Sequence, residues 1–107
     1  MTQKNSSLII GADGTLGRAL KEHINSHKEP AIETTRRKET CTSSRICLDL
    51  SSDIDDTWSP PAGVSVAYLC AAVTSSEKCF QDPARSAQVN VHNTIKIAKR
   101  CLENDVF

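Results

Sequence analysis

Aromatic residues make up only 4% of the 107 residues, with one Trp, one Tyr and two Phe. Such a chain can bury a modest core and build one small domain at most. Long apolar runs are missing too. Nothing approaches the roughly 18 to 20 apolar residues that a bilayer span requires, and Met1 to Leu8 contain no apolar stretch of the signal-peptide kind. We therefore expect a soluble, cytoplasmic protein without a membrane partner. An excess of one charge is also absent, because 13 basic and 13 acidic residues cancel. That balance gives no basis for a nucleic-acid surface. The five cysteines, Cys41, Cys47, Cys70, Cys79 and Cys101, form no C-x-x-C pair and have no histidine ligand pattern near them. Free thiols are expected rather than a zinc site or a disulfide framework, with Cys70 and Cys101 as small core residues. His23, His27 and His92 fit no nucleophile or metal pattern and read as helix-surface residues.

What the chain does have is Ser7 to Leu20, an apolar run that breaks into three glycines spaced three apart, Gly11, Gly14 and Gly17, and then turns helical. It reads as strand, tight turn and helix. In a dinucleotide fold the first glycine permits the sharp turn, the second lets the backbone approach a pyrophosphate, and the third allows close packing of helix on sheet. Free amides at the start of the helix then meet phosphate charge. The spacing alone is a weak signal, since glycine turns without ligands are common. Its position behind a short apolar strand strengthens it. Leu16, Ala19, Leu20 and Ile24 recur at helical spacing after it, which predicts a buried stripe ending near Asn25 to His27.

Strand and helix alternate along the rest of the chain. Ala31 to Thr35 reads as a second strand after Glu29-Pro30, followed directly by Arg36-Arg37-Lys38. Arg45 to Leu50 reads as a third strand. Ser51 to Pro61 forms a short helix or turn region in which Trp58 anchors against the core. Val64 to Cys70 reads as a fourth strand covered on both faces. Asp82-Pro83 starts a long helix, capped by Asp82, whose buried stripe is expected to be Ala84, Ala87, Val91, Ile95, Ala98 and Leu102. Asn104-Asp105 stops it, and Val106-Phe107 begins another apolar run.

This alternation implies an α/β fold, a Rossmann-type parallel sheet with flanking helices, here incomplete at four to five strands. Residues 1–107 are expected to be the N-terminal portion of a longer protein, whether separated by cloning, proteolysis or a natural early stop. An incomplete sheet exposes apolar edge and face, so self-association is also expected of it.

Together the residues resemble a family. Gly11-Ala12-Asp13-Gly14-Thr15-Leu16-Gly17, Asp49-Leu50 ending the third strand, Ala71-Ala72 after the fourth, and Asp82-Pro83 followed by Val89-Asn90-Val91-His92-Asn93-Thr94 look like the N-terminal half of the extended short-chain dehydrogenases/reductases. This is the NAD-dependent epimerase/dehydratase group, and Cys79 to Asn90 is most similar to its sugar-nucleotide reductases of the dTDP-dehydrorhamnose reductase type. The resemblance implies that Gly11, Gly14 and Gly17 surround a pyrophosphate, with Ala12, Asp13, Thr15 and Leu16 lining the same turn. It implies that Asp49 and Leu50 face the adenine and that Ala71 and Ala72 flank the ribose and nicotinamide. Asn90 matches a helix asparagine that supports the active site from behind. The competing readings are a strand-end cap for Asp49 and an ordinary polar helix position for Asn90. The implied partners are a dinucleotide and, in the whole protein, a nucleotide-sugar substrate; a homodimer is left open, since self-association of this piece can also follow from its exposed sheet edge.

Charge argues the choice of cofactor. A fold specific for NAD places Asp or Glu at the end of the second strand, roughly 20 residues past the glycine turn, to hold the ribose 2′-hydroxyl; a 2′-phosphate wants a cation. Here that place reads Thr35-Arg36-Arg37, with no acid and two guanidinium groups that can grip phosphate bidentately. NADP is favoured over NAD, against the alternative that Arg36 and Arg37 are a solvated pair.

The family transfers its proton with a tyrosine and a lysine four residues later. A lysine's charge lowers the phenol pKa for that task. The sole tyrosine, Tyr68, lies in the fourth strand and is followed four residues on by Ala72, so it is structural. Thr74 and Ser75 come too early to supply the family's further hydroxyl. No catalytic residue is assigned, and the chain alone is expected to be inactive. Two classes follow. One is the cofactor-binding part of a nucleotide-sugar reductase, epimerase or dehydratase; the other is a non-catalytic dinucleotide-binding module that regulates or scaffolds. A third outcome is a sheet too incomplete to bind anything.

Overall fold

A computed structural model describes residues 6–50, 54–70 and 76–107. Four strands, β1 (Ser6–Ile10), β2 (Ala31–Thr35), β3 (Arg45–Cys47) and β4 (Val64–Leu69), pair in the order β3-β2-β1-β4. Every pairing is parallel. The chain thus lays β2 and β3 to one side of β1 and returns to place β4 on the other. Val106-Phe107 starts a fifth position beside β4. The Phe107 amide donates to the Ser65 carbonyl at 2.9 Å, and the Ala67 amide donates to the Phe107 carbonyl at 2.9 Å.

The sheet has two differently built faces because alternate residues of β1 point opposite ways. Leu8 and Ile10 join Leu50, Ile54, Val64, Val89, Ile97, Cys101 and Val106 in the main core, with Trp58 packed against it. Ile9 instead meets Ala12 and Ile24, with Leu20, Ala31 and Cys70 beside them. Helix α1 (Thr15–Ser26) covers this second face. The other face is covered by a π-helical segment (Gln88–Asn93) and α4 (Thr94–Glu103), which supply Val89, Ile97 and Cys101 to the core, and α2 (Ser76–Gln81) and α3 (Pro83–Ala87) precede them. Asp82 caps α3 as expected, its carboxylate accepting from the Arg85 amide at 3.0 Å.

Several expectations are corrected. The third strand ends at Cys47, three residues early, although the Leu48 amide still donates to the Thr35 carbonyl at 2.9 Å. The fourth strand is not covered on both faces, since Tyr68 and Leu69 are exposed at its end. In α1 the inward line is Gly17 and Ile24, both buried, with Leu20 half-buried beside them; Leu16 is 66% exposed and Ala19 is also exposed. The long helix is interrupted by its π-helical segment, and its buried stripe is Ser86, Val89, Asn93, Ile97 and Cys101. Val91, Ile95 and Leu102 lie outside.

The Ser86 hydroxyl donates to the Asp82 carbonyl at 3.1 Å, and the buried Asn93 side-chain amide donates to the Leu50 carbonyl at 2.5 Å. Polar residues can occupy a core stripe when their hydrogen bonds are made there. All five cysteines are free thiols, and burial pushes those of Cys70 and Cys101 up.

Candidate functional site

The strand order reverses between β1 and β4, and in open α/β sheets ligands bind outside the carboxyl ends of the strands at such a point. The glycine turn lies there. Gly11, directly after β1, has φ of 87°, a left-handed conformation that a side chain would strain. Gly17 solves a different problem. A Cβ there would stand 2.3 Å from the Gly11 carbonyl oxygen and 2.8 Å from the Ala12 Cα, so only hydrogen allows α1 to lie against the turn. At Gly14 a Cβ would meet the Gly11 carbonyl oxygen at 3.9 Å, an ordinary contact. The protein itself therefore has room for a side chain at 14.

Gly14 is the N-cap of α1 and is extended. No side chain caps this end, and the first turn carries no acid. The helix thus presents its first amides and the positive end of its dipole without a built-in anion.

The end of β2 fixes the turn. The Gly11 amide donates to Thr34 Oγ1 at 3.0 Å, and the Ala12 amide donates to the Thr34 carbonyl at 3.2 Å. Thr35 Oγ1 donates to Asp13 at 2.5 Å and accepts from the Arg37 amide at 3.0 Å. Arg36 and Arg37 follow at the same edge with exposed side chains.

Arg45 of β3 ties these parts together. It donates through Nη2 to Asp13 Oδ1 and to Thr35 Oγ1, through Nη1 to Glu33 Oε1 at 2.7 Å, and through Nε to Thr40 Oγ1 at 3.0 Å. Lys21 of α1 completes the group, with Nζ 2.9 Å from Glu33 Oε2. Burial pushes the Asp13 carboxyl up, but hydrogen bonds from Arg45 and Thr35 and the charges of Arg45 and Arg37 outweigh it and hold it below the usual carboxylate range. Glu33 behaves alike. Burial raises it, and the bonds and charges of Lys21 and Arg45 bring it below its ordinary value.

Among the expected site residues, the structure brings Gly11, Ala12, Asp13, Gly14, Thr15, Leu16 and Gly17 to the same edge as Arg36 and Arg37. Asp49 and Leu50 leave the neighbouring strand at that edge; Asp49 is half-buried, and the Leu50 side chain is buried in the main core. Asn93 binds the Leu50 carbonyl and so joins the π-helical segment to the loop after β3. Asn90 lies in that same segment and is exposed. Ala71 and Ala72 lie outside the described residues.

Sequence reasoning missed Thr34, Thr35, Glu33, Lys21, Arg45 and Asn93. The signal for Arg45 is its register, directly opposite Glu33 on β2. Among the described residues, no cluster of His, Cys, Asp and Glu could hold a metal ion, and no helix is long and apolar enough to cross a membrane.

The family model described as RmlD substrate binding domain matches residues 5–107. A search of curated proteins gives no match. Among solved structures the chain is similar to UDP-glucose 4-epimerase of Thermus thermophilus, solved in complex with NAD, with TM-score 0.70, 18% identity, and coverage of 94% of this chain and 35% of that one. It is also similar to Pen from Bacillus thuringiensis, with TM-score 0.69, 15% identity, and coverage of 99% of this chain and 37% of that one. The chain therefore spans about a third of the length of these neighbours, which agree with it in fold.

Proposed function

Because the chain belongs to the RmlD substrate binding domain family, we propose that it is the cofactor-binding portion of an extended short-chain dehydrogenase/reductase acting on a nucleotide-sugar, and that it takes NADP(H) in preference to NAD(H). One observation carries the reading. An uncapped helix N-terminus, pinned by the close contact at Gly17, opens at the strand-order reversal beside two exposed arginines.

The residues present fit a dinucleotide. The first amides of α1 meet the pyrophosphate, and Gly14, where a Cβ would make only an ordinary contact with the protein, leaves the backbone bare for its close approach. Arg36 and Arg37 give a 2′-phosphate its cations. On the same reading Asp49 and Leu50 serve the adenine, and Ala71 and Ala72, the residues after Cys70 in the sequence, serve the ribose and nicotinamide. Asn90 would support that end from the helix. A bound nicotinamide supplies the hydride; the residues of this chain bind and orient its carrier. The accompanying proton transfer falls to residues outside 1–107, since Tyr68 belongs to β4 and has no lysine four residues on. The reading includes a cytoplasmic location, homodimeric assembly, and reduction, epimerisation or dehydration as the reaction class of the whole protein.

Titration of the 107-residue chain with NADPH and NADH, by calorimetry or cofactor fluorescence, tests this. Tighter binding of NADPH, lost in Gly14→Val, is expected. Binding of neither cofactor to the folded chain would overturn the reading.

A further inference from the structure

The position where an NAD-specific fold keeps its ribose-binding acid is filled here from an unexpected direction. The end of β2 supplies Thr35, while a carboxylate reaches it from the glycine turn. Asp13 Oδ2 accepts from Thr35 Oγ1 at 2.5 Å. An acid at this place would ordinarily accept from a 2′-hydroxyl and repel a 2′-phosphate. Each of its oxygens already accepts a bond inside the protein, however, because Oδ1 is bound by Arg45 Nη2, and this charge-assisted bond weakens the carboxylate as an acceptor for anything further. Arg45 has little freedom to leave, since Nη1 is held by Glu33 and Nε by Thr40, and its side chain is only 17% exposed. The charges of Asp13 and Glu33 are matched by those of Arg45 and Lys21. Arg36 and Arg37, by contrast, are exposed at this edge.

We infer that Arg45 sets the cofactor preference indirectly, by sequestering Asp13 so that the site accepts a 2′-phosphate. This rests on the dinucleotide reading above. Arg45 needs no contact with the cofactor; it competes with the ribose hydroxyl for the Asp13 carboxylate and offsets a charge that would oppose the phosphate. It is a residue of β3, outside both the glycine turn and the end of β2, where preference is usually sought.

The test is a set of NADPH and NADH titrations on the wild-type chain and on Arg45→Met, Asp13→Asn and the double variant, with thermal unfolding of each recorded without cofactor. In Arg45→Met the freed carboxylate should weaken NADPH by about tenfold or more and leave NADH unchanged or tighter. Asp13→Asn alone should shift the NADPH-to-NADH ratio by less than about threefold, because the lost carboxylate was already occupied. The double variant should recover NADPH binding to within about threefold of wild type.

A purely structural role for Arg45 would weaken both cofactors together, and Asp13→Asn would not rescue either; that result overturns the inference while leaving the dinucleotide reading intact. So would a wild-type preference for NADH. If Arg45→Met fails to fold, Asp13→Asn decides alone, since an NADH loss of about tenfold would mean that the carboxylate engages the ribose. Binding of neither cofactor to the wild-type chain removes the dinucleotide reading and this inference with it.

Discussion

Among the described residues, nine buried ones close into one apolar cluster on the face of the sheet covered by α4, whereas on the α1 face three do so, Ile9, Ala12 and Ile24. The space beside those three is taken by Asp13, Glu33, Lys21 and Arg45. The first face is held by apolar burial, which is insensitive to pH and depends on volume. The second is held by directed bonds between charges, which fix geometry but answer to protons and salt. Stability is concentrated under α4, and the shape of the candidate site under α1.

This contrast can be broken from either side. Ile97 is fully buried under α4, and Ile97→Ala should cost about 4 kcal/mol in urea unfolding through its cavity, with the same deficit at every pH at which the chain folds. Gly17→Ala attacks the α1 face by overpacking. With its Cβ 2.3 Å from the Gly11 carbonyl oxygen, the helix must lift, and we expect a loss of about 3 kcal/mol together with any cofactor binding.

Arg45→Met should cost about 2 kcal/mol at neutral pH by leaving two partly buried carboxylates short of a partner. Its deficit, unlike that of Ile97→Ala, must depend on pH. Asp13 and Glu33 are held below their ordinary values, so their contribution is present above an unfolded pKa of about 4 and disappears as pH falls through the depressed folded values. Acid unfolding curves of wild type and Arg45→Met should therefore converge below about pH 4. Gly14→Ala, where the Cβ finds ordinary contact, should change stability by about 0.5 kcal/mol while lowering dinucleotide affinity by about tenfold or more.

The α1 side was the more legible in outline and the less legible in detail. β1, the glycine turn, α1 and β2 stand where spacing and turn chemistry place them, because an apolar strand running into glycines leaves the backbone little choice. The charged group could not be read, since it depends on Glu33 standing opposite Arg45 across two strands whose register no local pattern sets. On the α4 side the reverse holds. Asp82-Pro83 announced the helix start, yet hydropathy favoured the wrong stripe. Ala84, Val91, Ile95 and Leu102 make one line more apolar, but the fold buries the line of Ser86 and Asn93, whose polar groups find the Asp82 and Leu50 carbonyls. A hydropathy sum counts those two as losses; their partners, one of them 43 residues away, cancel the penalty.

The contact at Gly17 also bears on how mutation would explore this turn. At position 17 the fold's alphabet has a single letter, because any side chain collides with backbone that has nowhere to go. Three residues earlier, at position 14, the fold reads many letters, and only something arriving from outside has reason to object. A saturation library at both positions, sorted first for folding and then for cofactor capture, would narrow at 17 in the first round and at 14 in the second. The gap between those rounds outlines the surface of a ligand using nothing but which residues survive.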